Sequence, residues 1–172
     1  SISNNSKSTT FTGGIVGYNG SNKDKQGTIE QCYIKDNTIS SSSSEDTASS
    51  YVGGIVGYNF GLVNKCFSLE ANINSKVTDY QGFSGGIVGD NNGAIVSNCF
   101  SSSNINISSD TGNTFFGSIM GRNFRSTLLI NSGTSENNYG FEGQKITFSS
   151  NEILKSRHTK QNVKLASLSQ IT

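Results

Sequence analysis

The chain has 172 residues, no proline, no tryptophan, 15% charged residues and a formal net charge of +1. That length suits one domain or one run of repeats. The near-neutral balance excludes a general attraction to nucleic acid or to an anionic membrane surface, and low charge with regularly placed aromatics excludes ordinary disorder.

Residues 1–10 are polar and read either as an opening strand or as a loose arm. The chain shows no initiator Met, no apolar signal segment and no run long enough to cross a bilayer. It therefore reads as a mature secreted product or a cut fragment, extracellular or cell-surface, with no membrane insertion.

A nine-residue unit then organises the sequence. Phe11-Thr12-Gly13-Gly14-Ile15-Val16-Gly17-Tyr18-Asn19 returns as Tyr51 to Asn59 and as Phe83 to Asn91, and a decayed copy runs from Phe115 to Asn123. The first glycines are Gly13, Gly53, Gly85 and Gly117, so the steps are 40, 32 and 32 residues. A fixed period of this size marks a stacked repeat architecture. The repeats are 11–50, 51–82, 83–114 and 115–132, and residues 133–172 form a C-terminal cap and tail. The extra length of the first repeat falls largely in the loop Ser21 to Gln26, and the run Ser40 to Ser44 with Glu45-Asp46-Thr47 reads as a second exposed loop.

Each repeat carries about three short strands, too short and too punctuated by glycine to be helices. One repeat cannot bury enough apolar surface to offset the ordering of its own backbone. Stacking of like strand on like strand solves this. The expected fold is all-β, a right-handed parallel β-helix or solenoid of about four coils. A short helical cap is expected from about Ser150 to Arg157, where Ser149 and Glu152 have capping-box spacing. The tail from Gln161 to Thr172 reads as an extended strand or a flexible segment.

Stacking turns repeated residues into ladders. Asn19, Asn59, Asn91 and Asn123 can bond amide to amide along the axis. Phe11, Tyr51, Phe83 and Phe115 form a column of rings assigned to the core. Gly17, Gly57, Gly89 and Gly121 are placed at a corner that needs positive φ. Cys32, Cys66 and Cys99 occupy equivalent places, either as buried free thiols or with one bridge between neighbours. Tyr33, Phe67 and Phe100 follow them, and the residues leave open which member of each Cys-aromatic pair points inward. Burying Lys65 would be costly, so a bend is expected at Asn64-Lys65.

No catalytic constellation emerges. A solenoid polysaccharide lyase or glycosidase would need carboxylates clustered on one face. Asp90 and Arg122 instead read as a surface ion pair, and Glu30 lies on another strand. No metal-ligand spacing, cofactor motif or phosphate loop is present. The single His158 reads as solvated, as does the basic group Lys155, Arg157, Lys160 and Lys164. The outward column Tyr18, Tyr58, Asp90, Arg122 is the candidate ligand face, with Tyr18 and Tyr58 placed to stack on sugar rings. Acceptor sequons at Asn4 and Asn106 are candidate glycosylation sites, Asn4 favoured as part of a polar arm. Unprotected strand edges at the N-terminal end predict head-to-tail self-association, with the tail or the capped end docking on the first coil of a neighbouring copy.

The unit GGIVGYN, then G-x-[IV] and a Cys-aromatic pair, resembles the GLUG motif repeat over residues 11–107, and more weakly over 115–131. Asn137-Asn138-Tyr139, Ile146-Thr147 and Glu152 to Lys155 look like the closing segment that follows such repeats. These repeats occur in bacterial surface adhesins and in the non-catalytic region of some IgA-specific metallopeptidases. The resemblance implies a non-catalytic structural or adhesive module, of the kind that forms a repeat in a surface stalk or filament. The chain itself has no HExxH.

Overall fold

The computed structural model describes residues 1–21, 25–110, 112–124 and 134–150, with two further strands at 157–158 and 163–166. The described residues are strands joined by turns, bends and irregular segments, and no helix occurs among them. The strands are β1 (Ile2–Ser6), then β2 (Thr10–Gly13), β3 (Val16–Asn19), β4 (Thr28–Glu30), β5 (Tyr33–Lys35) and β6 (Thr38–Ser43) in the first full coil. The second coil holds β7 (Ser50–Gly53), β8 (Val56–Asn59), β9 (Leu62–Asn64), β10 (Phe67–Leu69) and β11 (Asn72–Val77). The third holds β12 (Gln81–Gly85), β13 (Val88–Asn92), β14 (Ile95–Ser97), β15 (Phe100–Ser101) and β16 (Asn104–Ser109). The fourth holds β17 (Asn113–Gly117), β18 (Met120–Phe124), β19 (Thr134–Glu136), β20 (Asn138–Phe141) and β21 (Ile146–Ser150). The strands β22 (Arg157–His158) and β23 (Val163–Ala166) lie beyond it.

Like strands stack in parallel and in register, giving five sheets around a β-solenoid of about four coils. In order around the coil, the first sheet is β2-β7-β12-β17-β22 and the second β3-β8-β13-β18. The third is β4-β9-β14-β19, the fourth β5-β10-β15-β20-β23 and the fifth β1-β6-β11-β16-β21. A coil thus has five strands, not three. The first expected strand is split between Gly53 and Val56, and the second between Asn64 and Phe67.

The corners explain the second split. Gln31, Lys65, Asn98 and Asn137 lie at φ 54°, 53°, 54° and 51°, all in the left-handed region. The bend expected at Asn64-Lys65 is there, and it repeats in every coil. Asp36 and Glu70, at 53° and 52°, turn the next corner in the first two coils. A side chain at such φ is strained, but here the bend continues the ladder: the Gln31 amide donates to Asn64 O and the Lys65 amide to Ser97 O, both at 3.1 Å. Beyond the bend Cys66 and Cys99 point inward and the aromatics outward, with Tyr33 67% exposed.

The core is a set of single-residue columns. Ile39, Ile73 and Ile105 stack along the fifth sheet, Val63 and Val96 along the third, and Val56, Val88 and Met120 along the second. Branched side chains suit this pleated, fully enclosed surface. An amide ladder runs beside them: Asn19 Nδ2 donates to Asn59 Oδ1 at 2.8 Å, Asn59 to Asn91 at 2.8 Å and Asn91 to Asn123 at 2.9 Å. Asn59 also binds the Gly61 amide and carbonyl, so no polar group of this buried side chain is wasted.

Register locates the irregularities. Asn19 stacks on Asn59 but Ile29 on Val63, so six of the eight extra residues of the first coil lie between them, around the loop expected at 21–26. Ser40 to Ser43, expected in a loop, belong to β6, with Ser41 and Ser43 buried. Residues 1–10 include an opening strand, because Ile2–Ser6 pairs with Ile39–Ser43. Residues 134–150, assigned to the cap, continue the fourth coil on the third. The proposed cap helix falls mostly outside the described residues, and both its ends, Ser150 and Arg157, are strand.

Candidate functional site

The candidate face Tyr18, Tyr58, Asp90, Arg122 does form one column on the second sheet. It is not a free face. The column of Phe11, Tyr51, Phe83 and Phe115 was expected in the core but lies on the outer side of the first sheet. Thr10 and Thr12, the neighbours of Phe11, are the buried, inward residues. The two columns meet in the crease between the sheets. Phe11, Tyr51 and Phe83 stack in sequence with centroids 5.0 and 4.6 Å apart, and Phe83 stacks on Phe115 at 5.0 Å. Tyr18 and Tyr58 stack at 5.1 Å and present their rings edge-on to Phe11 and Tyr51. Each ring contact adds about 0.5–1.5 kcal/mol beyond area burial.

Gly17 and Gly57 make this crease possible. A Cβ on Gly57 would lie 2.6 Å from the Thr12 amide nitrogen. Its φ is not in the positive region, so the glycine is there for space and not for a left-handed corner. The corner assignment of this column is therefore corrected.

In-register stacking also decides what Tyr18 and Tyr58 can offer. Their faces point along the axis onto each other, and a ligand beside the solenoid meets only ring edges. Burial pushes the Tyr58 hydroxyl up to about 12, and it accepts a hydrogen bond from Asn92 Nδ2 at 2.5 Å. It is in no position to act as a base near neutral pH.

Asp90 and Arg122 form a bidentate pair, with Nε to Oδ1 at 2.9 Å and Nη2 to Oδ2 at 2.6 Å. Asp90 is fully buried, so the pair is not the surface contact expected. The guanidinium lies 4.3 Å from the Phe83 centroid, which adds a cation–π contact. Burial pushes the Asp90 carboxyl up while Arg122 pulls it down. Glu30 is elsewhere, on the third sheet, and accepts from Asn64 Nδ2 at 2.9 Å. These carboxylates do not converge on a common point of attack.

A concavity lies on the fifth sheet. A trough of about 400 Å³ crosses the outer faces of β1, β6, β11, β16 and β21. Two outward rows line it. Ser40, Asn74, Asn106 and Thr147 stack in one; Ser42, Lys76, Ser108 and Ser149 in the other. Asn106 Nδ2 donates to Asn74 Oδ1 at 2.9 Å, and Asn74 Nδ2 to Ser40 Oγ at 3.2 Å. Among the described residues Lys76 is the one charged residue lining the trough, and it is exposed.

The sequons sort by this geometry. Asn106 faces outward into the trough, and Asn4 stacks on the buried Ser41 in the opening strand, not in a polar arm. A third sequon, Asn19-Gly20-Ser21, is closed, since Asn19 is buried in the amide ladder. Cys32, Cys66 and Cys99 are free, the latter two buried. The Cys66 and Cys99 thiols donate to Asn64 O at 3.3 Å and Ser97 O at 3.1 Å. The hydrogen-bonding contact with Cys66, together with burial, pushes the Cys99 thiol up. No group of three metal-ligating side chains converges among the described residues.

No family model, curated protein or solved structure matches the chain. The site must be read from its own residues. The trough was the feature missed in the sequence, although its signal is there. The alternation in Asn72-Ile73-Asn74-Ser75-Lys76-Val77 and in Asn104-Ile105-Asn106-Ile107 places the amides and Lys76 together on the outer side.

Proposed function

We propose that the chain is a non-catalytic structural and adhesive repeat module of the extracellular space or cell surface, built to present long, in-register polar faces on a stiff rod. The observation that supports it most is the composition of the trough: among the described residues its lining is hydroxyls and amides with one ammonium group and no carboxylate. A glycosidase or lyase works with acid and base groups at the bond it cuts. The resemblance of residues 11–107 to GLUG repeats supports the same reading. So do the edges of β1 to β5 at the N-terminal end, which no strand pairs among the described residues and which suit continuation by a second copy.

The reading is tested by incubating the full chain with neutral and acidic polysaccharides and measuring new reducing ends and unsaturated products. No product above a heat-denatured control is expected. Sustained product formation abolished by denaturation overturns the non-catalytic assignment in favour of a carbohydrate-active solenoid enzyme.

A further inference from the structure

We propose that the trough on the fifth sheet binds an extended, uronate-bearing glycan laid along the solenoid axis, with Lys76 taking a sugar carboxylate. The proposal rests on the reading of the chain as a non-catalytic module and gives that module a ligand class.

The lining makes the argument. Its outward rows repeat once per coil, ~4.8 Å apart along the axis, and stand two residues apart along each strand, ~6.6 Å. A linear polysaccharide offers hydroxyls on both edges at a comparable step, so one chain can meet both rows at once. Asn74 and Asn106 are already oriented by bonds to Ser40 and to each other. Each keeps a second amide hydrogen for a ligand, because an amide nitrogen carries two. Holding the donors in place before binding lowers the ordering cost.

Charge narrows the class. Among the described residues Lys76 makes no ion pair and no carboxylate lines the trough. An unpaired ammonium among neutral donors complements a sparsely anionic chain. A densely sulfated glycan or a nucleic acid would call for a cation near most of its charged groups, and a single strand of nucleic acid for aromatic platforms too. No aromatic side chain lines the trough among the described residues. An apolar ligand finds little beyond Ile107.

The test is isothermal titration of the full chain with an alginate-derived oligomannuronate, against a cello-oligosaccharide of equal length and against oligoglutamate. Oligomannuronate should bind, and more weakly at high salt. Lys76→Gln should weaken it about fivefold, as loss of a partly exposed charge pair does. Lys76→Arg should retain binding, and Lys35→Gln, on the fourth sheet, should leave it unchanged. Asn106→Leu should also weaken it, with an unaltered circular dichroism spectrum. The proposal is overturned by absence of binding, by equal binding to Lys76→Gln, by equal loss in Lys35→Gln, or by cello-oligosaccharide or oligoglutamate binding as tightly. Failure here leaves the non-catalytic reading intact. Binding accompanied by cleavage would overturn that reading and spare the trough.

Discussion

Lys65 and Gly57 exchange the roles their residue types suggest. Lys65 holds φ 53° with a full side chain, whereas Gly57 keeps ordinary φ and is confined by its neighbours. Positive φ is tolerated at Lys65 because the stacked corners above and below fix it with backbone hydrogen bonds. Gly57 has no such freedom of replacement. In Gly57→Ala the new Cβ would meet Thr12 N at 2.6 Å and Gly17 O at 2.7 Å, both backbone atoms. We expect a loss of about 3 kcal/mol or more. In Gly82→Ala the nearest atom is the Ile107 Cδ1 methyl at 3.3 Å, which can shift, and the loss should be under ~1 kcal/mol. Urea denaturation of both variants checks the pair, and equal midpoints would remove the close-approach argument. Asp90 supplies a pH prediction. Its carboxyl is raised above the ordinary 3.8 in the folded protein, so between 3.8 and that raised value the folded state holds more protons than the unfolded one. Its contribution to stability is therefore greatest below 3.8 and is lost as pH rises through the folded value. The stability gap between the protein and Asp90→Asn should narrow from acid toward neutral pH. A gap that widens would show that Arg122 outweighs burial.

At the scale of elements, the buried thiol column sits just past a left-handed corner, and its exposure differs from coil to coil. Cys32 lies in the terminal coil and is half-buried, while Cys66 and Cys99 are covered. A thiol reagent should label Cys32 first in the native protein. Cys66 and Cys99 should react only at the rate of unfolding, read by mass spectrometry of timed samples; prompt labelling of all three contradicts the column. How much of this was legible in the sequence depends on where identity repeats. The 32-residue period, the stacked Asn amides and the parallel ladders follow from like residues at like places. The five-strand coil does not, because its corners use Gln31, Lys65 and Asn98 with no shared residue type to mark them. The outer position of the Phe11 column was hidden for a related reason: alternation identifies two sides of a strand but not which is enclosed. In the fourth coil, added residues displace the partner of Cys99-Phe100. That partner is Asn138-Tyr139, with Asn138 buried and its Oδ1 accepting from the Cys99 amide at 2.9 Å.

At the scale of the molecule, the fourth sheet begins at β5 and ends at β23, each with one side unpaired among the described residues. The tail strand Val163–Ala166 adds to Asn138–Phe141 of its own chain. A head-to-tail contact would then join the free side of β23 to β5 of the next copy. Sedimentation velocity of the full chain and of a chain ending at residue 160 should show concentration-dependent association in the first only. A full chain that stays monomeric at high concentration rules the contact out. One consequence of the shared register reaches beyond the single molecule. Tyr51, Phe83 and Phe115 stack directly, as do Asn59, Asn91 and Asn123. Excising residues 83–114 would set Phe115 on Tyr51 and Asn123 on Asn59 with every ladder still in phase. Unequal crossing-over between repeats in the gene can therefore lengthen or shorten the rod by whole coils, ~4.8 Å at a time. Reach becomes heritable in discrete steps, while the cross-section of the rod stays the same.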